Sequence, residues 1–180
     1  MWTYPFRLIK PLHLVGFLVL SVLGPHFLMG KEGDVYTFYL ARYFPLYMAP
    51  IYYFYLNRKV GILNAERDLL IQRVGRDSFI VKGSLSIFAE SMLFFLGIVL
   101  LRLVLDGLQS APLVIFLQLL LFRFVVFMMG CGIILWQLGK ESHFIYMPLA
   151  FLISIVAQFL FIEELFYDYF IAVVMSVYFP

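Results

Sequence analysis

Apolar residues run through this chain in long uninterrupted blocks, and short polar stretches separate them. The blocks cover about residues 12–29, 36–56, 83–105, 113–136, 144–162 and 165–180. A helix crosses the hydrocarbon core of a bilayer with roughly 20 residues. The pattern therefore predicts an all-α polytopic membrane protein of about six spans. Continuous blocks argue against a membrane β-barrel, whose strands alternate lipid-facing and lumen-facing residues. The sixth block is short, and five spans with a re-entrant hairpin is the alternative. Arg7 and Lys10 ahead of the first block suggest a signal peptide, but no small-residue cleavage site follows, so a retained span is expected. Pro45 and Pro50 predict a kink or break in the second span.

One segment departs from this pattern. Residues 57–82, NRKVGILNAERDLLIQRVGRDSFIVK, are too charged to cross, yet Ile62, Leu63, Leu69, Leu70, Val74 and Ile80 recur at roughly helical spacing. Amphipathic helices along the membrane face, between spans two and three, are expected. Composition agrees with the spans: 64% of residues are hydrophobic, 13% charged, and the mean hydropathy is +0.97. A soluble domain is about half apolar and about one-quarter charged, so a soluble globule is excluded. After six spans, 180 residues leave no room for a second domain, and residues 1–180 read as one transmembrane unit. Aromatics reach 19%, many near block ends, where interfacial rings are expected.

The cations orient the chain. Arg7, Lys10, Arg58, Lys59, Arg67, Arg73, Arg76, Lys82 and Lys140 fall on one side of the six-span arrangement and only Lys31 on the other. The Lys/Arg bias of short loops marks the cytoplasmic side. Both termini are expected there, in what reads as a bacterial cytoplasmic membrane. Glu32, Asp34, Asp106, Glu163, Glu164 and Asp168 fall on or near the outer side.

Four ionisable residues lie within the expected spans: Arg42, Glu90, Arg102 and Arg123. Such residues are expensive in hydrocarbon and are functional candidates by default. Arg102 stands four residues before Asp106, a spacing that predicts a helical salt bridge with snorkelling. Glu90 and Arg123 either form a buried pair or point separately into a wet cavity or toward a partner chain. Arg42 either snorkels outward or lines a pathway. His13, His26 and His143 share no ligand spacing, and Cys131 stands alone, so no metal site is expected. Gly130 and Gly132 flank Cys131 and predict close helix packing. Glu163–Glu164 with Asp168 resembles the start of the EExxxR motif of CAAX-type intramembrane metalloproteases, but Asp168 fills the Arg position and no His follows on a later helix.

The end of the polar segment, Leu70–Ile71–Gln72–Arg73–Val74–Gly75–Arg76–Asp77 with Lys82 following, resembles the small permease subunits of type-2 ABC transporters, including those of bacterial peptide and bacteriocin export or immunity systems. In many of them a segment like LIR-x-G-S-R precedes a Lys and the third span. Here the Ser is missing and Asp77 follows the Arg. The resemblance covers about a fifth of the chain. It implies that Arg73, Gly75, Arg76 and Asp77 form a coupling helix that docks on an ABC ATPase subunit. It also implies a second permease copy or a related permease as partner, and export of a hydrophobic or amphipathic peptide, lipid or drug. No G-x-x-x-x-G-K-[ST] loop occurs here. ATP and Mg would therefore sit on the partner, and this chain would carry no cofactor and no catalytic residue. Nucleic acid is not an expected partner. The competing reading of Arg73 and Arg76 is contact with anionic lipids of the membrane. The competing functions are a non-transporting membrane scaffold or accessory protein and a membrane-embedded protease of the CAAX type.

Overall fold

A computed structural model describes residues 44–106, 113–140 and 145–178, together with Gly16 and Val19. The first expected span, apart from Gly16 and Val19, and the start of the second lie outside these residues, as do Arg42, His13, His26 and His143. Every described element is helical: α1 Ala49–Ala65, α2 Arg67–Val74, α3 Arg76–Asp106, α4 Leu113–Leu135, α5 Tyr146–Val156 and α6 Tyr167–Tyr178. Segments of π-helix precede α1 at Phe44–Met48 and follow α5 at Ala157–Leu165.

Three helices are long and apolar enough to cross a membrane: Arg76–Val104, Leu113–Leu135 and Tyr146–Glu164. They correspond to the third, fourth and fifth expected spans. At 1.5 Å per residue the 31 residues of α3 extend about 46 Å, well beyond a hydrocarbon core. α6, within the sixth block, has 12 residues and extends only about 18 Å.

The polar segment divides in an unexpected way. Its first part does not lie along a membrane face but continues α1 to Ala65, because Lys59, Val60 and Leu63 turn inward and are buried. Its last part opens α3, which begins at Arg76, seven residues before the expected start. Only α2, with no buried residue, keeps the surface position that the helical spacing predicts. Around Pro45, which has no N–H to donate, the backbone adopts the π-helical turn Phe44–Met48, and Pro50 sits in the first turn of α1, where that N–H is not needed. The distortion expected at the two prolines is thus concentrated at the first.

α3 and α4 run antiparallel in a register that particular contacts fix. Gly83 lies against Leu138 and Ile80 against Gly139 at one end, and the Phe94–Phe127 and Phe95–Phe124 ring pairs follow further along, at 6.2 and 5.3 Å. Phe127 is the centre of an aromatic block that includes Phe44, Tyr52, Tyr53, Phe94 and Phe95, all nearly inaccessible. These rings fill the core, whereas the block-end reading assigned aromatics to the interface. The reason is spacing, since Gly130 has no side chain and the Tyr53 phenol occupies the space a Cβ would take. Gly132 has nothing within 4 Å of the same position among the described residues, so the close packing seen at the GCG motif falls on Gly130.

Tyr53 also ties three helices together. Its hydroxyl donates to the Phe127 carbonyl at 3.3 Å, which leaves it to accept from the Ser154 hydroxyl at 3.1 Å, joining α1, α4 and α5.

Candidate functional site

Two regions hold the residues that the sequence singled out. The first is the corner between α2 and α3. α2 ends at Val74, and its last turn closes through Gly75 N–H to the Ile71 carbonyl at 2.8 Å. Gly75 then takes φ 81° and ψ 153°, a region essentially confined to glycine. Its carbonyl accepts the Phe79 N–H at 3.0 Å, so α3 starts immediately beyond the break. A single glycine therefore changes the chain direction between two helices without an intervening loop. Arg73 in the last turn of α2 and Asp77 in the first turn of α3 each complement the local helix dipole.

The corner is anchored on its inner side and open on its outer side. Phe79 is buried, and Leu70 and Ile71 pack against the core. Arg73, Val74, Gly75, Arg76 and Asp77 are all exposed. Leu69 is 63% exposed, so the outward surface mixes guanidinium, carboxylate and apolar groups. The structure thus brings Arg73, Gly75, Arg76 and Asp77 together on one exposed edge.

The second region is a polar core between α1 and α3. Glu90, 4% exposed, pairs through Oε2 with the ammonium of Lys59, 7% exposed, and accepts through Oε1 from the Tyr55 hydroxyl at 2.8 Å. One turn along α1, the Tyr52 hydroxyl meets Ser91 Oγ at 3.0 Å. Ser91 donates to the Ile87 carbonyl at 2.9 Å, so Tyr52 is the donor between the two hydroxyls.

The Glu90–Arg123 pair is accordingly not formed. The α3–α4 register puts Glu90 level with Cys131 and Arg123 level with Ile98. Eight residues of helix separate the two levels, about 12 Å. Nor do both residues point separately into open space. Arg123, 1% exposed, donates to Gln158 Oε1, and Gln158 passes its own N–H to Glu163 Oε1 at 3.0 Å. Gln158 and Glu163 are five residues apart, and the π-helical winding of Ala157–Leu165 brings them onto one face. Arg102 is buried rather than extended into open surroundings, and the Asp106 side chain lies outside the described residues.

The charge count of the polar segment also changes. Lys59, counted among the loop cations, is the internal partner of Glu90. In the sequence it stands in an Arg–Lys pair, and nothing local separates exposed Arg58 from buried Lys59 except their position around the helix.

Sequence reasoning missed a third feature altogether. The turn that follows α4 is clasped by α1 and α2. Gln137 donates to Asn57 Oδ1 at 2.6 Å. Asn64 donates to the Gln137 carbonyl and accepts from the Gly139 N–H, both at 2.8 Å. Arg67 reaches the Gly139 carbonyl at 3.3 Å. Two asparagines inside a helical segment, facing a glutamine at the end of another apolar block, are the only sequence trace of this clasp.

Among the described residues, no three His, Cys, Asp or Glu side chains gather as a metal ion would require. Glu164 and Asp168 are exposed, while Glu163 is engaged by Gln158. No family model, curated protein or solved structure matches this chain.

Proposed function

We propose that the chain is the membrane-embedded, non-catalytic subunit of an ATP-driven exporter of the ABC permease type, with an ATPase docking at the α2–α3 corner. The observation that carries this reading is the placement of Arg73, Gly75, Arg76 and Asp77 on an exposed edge joined without a loop to a helix about 46 Å long. A partner that moves this edge acts on one end of a membrane-crossing lever. Loop flexibility does not intervene, because Gly75 fixes the break and Phe79 seats it. ATP and Mg belong to the partner in this reading. A second copy of the chain, or a related permease, completes a route for a hydrophobic or amphipathic substrate. The basic corner faces the cytoplasm of a bacterial cell in this arrangement, following the Lys/Arg bias.

Purification of the tagged chain from its native membrane in mild detergent, followed by mass spectrometry of bound proteins, tests the reading. Recovery of a P-loop ATPase with the unaltered chain, and its loss from Arg73→Glu/Arg76→Glu, is the expected result. Recovery of the chain alone, in a detergent that preserves other transporter complexes, would contradict it and favour a membrane scaffold.

A further inference from the structure

The turn after α4 bears a second exposed feature, distinct from the corner. Trp136 is the first residue beyond the apolar helix Leu113–Leu135 and is 67% exposed. The Lys140 ammonium sits 4.3 Å above its ring. The clasp brings a further cation to this turn. Arg67 binds the Gly139 carbonyl. Arg67 also contacts Asp68, while Lys140 makes no ion pair among the described residues.

An indole at the end of an apolar helix favours the headgroup level of a bilayer. Basic residues at that level attract anionic lipid, each contributing about fivefold to its local enrichment. We infer that the Trp136–Lys140 turn, with Arg67, is a seat for the headgroup of an anionic phospholipid. The occupant is a lipid of the surrounding leaflet rather than a soluble anion, because the exposed indole places the cations at the membrane boundary. The clasp is what assembles the seat, since it holds Arg67 of α2 against the turn that follows α4. This inference does not depend on what docks at the corner.

The test uses the full chain carrying Trp2→Phe, which leaves Trp136 as the only tryptophan, reconstituted in phosphatidylcholine vesicles. These contain equal fractions of either phosphatidylglycerol or phosphatidylcholine brominated on the acyl chains. Stronger quenching of Trp136 by the brominated phosphatidylglycerol is expected. The preference should fall about fivefold for each cation removed in Arg67→Gln and Lys140→Gln, and persist in Arg67→Lys/Lys140→Arg. Equal quenching by the two lipids, or an undiminished preference in Arg67→Gln/Lys140→Gln, would overturn the inference. Native mass spectrometry of the unmutated chain gives an independent reading. Retention of phosphatidylglycerol over phosphatidylcholine supports the seat, and equal retention counts against it.

Discussion

Glu90 and Arg76 are fourteen residues apart on the same helix, yet their surroundings assign them opposite tasks. Glu90 is enclosed, with one oxygen on Lys59 and the other on Tyr55, so its charge is satisfied inside the protein. Arg76 stands exposed at the corner beside Asp77. A charge with its partners supplied internally fixes how helices sit against each other. A charge presented outward is available to another molecule. The long helix therefore carries a buried ionic centre at its middle and an exposed charged edge at its start, and the two should respond differently to mutation.

The largest effect is expected at the buried centre. Glu90→Gln leaves Lys59 as a buried cation without its counter-charge, which costs about 3 to 5 kcal/mol. Lys59→Met/Glu90→Gln should recover a good part of that loss. A double-mutant cycle read by unfolding in detergent would show coupling of this pair and none between Glu90 and Arg123, whose effects should add.

Next comes the packing of α1 on α4. Gly130→Ala puts a methyl group into the Tyr53 phenol and should cost about 1 to 3 kcal/mol. Gly132→Ala, two residues away in open space, should be neutral or gain about 0.5 to 1 kcal/mol from reduced backbone freedom. Equal responses at the two glycines in a thermal-shift assay would contradict the packing described for this motif.

The corner should respond more locally. Gly75→Ala forces a side chain into a glycine backbone geometry, at about 1 to 3 kcal/mol. The chain can relieve that cost by letting α2 and α3 join as one helix, which would carry Arg73 away from its place beside Arg76. Increased helical content with a nearly unchanged core stability is the expected outcome, measured by circular dichroism together with detergent unfolding. Arg73→Glu/Arg76→Glu should shift stability least, within about 0.5 kcal/mol, as exposed positions do.

These regions were legible in the sequence to different degrees, and the reasons are physical. The corner was legible in part: the resemblance implies one coupling helix through Arg73, Gly75, Arg76 and Asp77, whereas Gly75, at φ 81°, ends α2 and α3 begins at Arg76. The spans from 83 to 162 follow from block length alone, and three helices of that kind are present. Glu90 was identifiable as a buried charge needing a partner, but the partner depends on helix register, which no local pattern encodes. Counting depth from block ends led to Arg123, whereas the contacts of Gly83 with Leu138 and Phe94 with Phe127 set Arg123 about 12 Å away. Lys59 looked like a loop cation because α1 was expected to end near Leu56, and it ends at Ala65. The clasp of Asn57, Asn64 and Gln137 was not legible at all, since uncharged amides in a polar segment give no periodic signal and their bonds span more than 70 residues.

The contrast between the middle and the start of α3 is tested most directly by measuring partner retention and melting temperature together for Arg73→Glu/Arg76→Glu purified from its native membrane. A melting temperature close to that of the unaltered chain, with no ATPase retained, is the expected result. A variant that melts normally and still holds its ATPase would contradict the docking proposed for the corner.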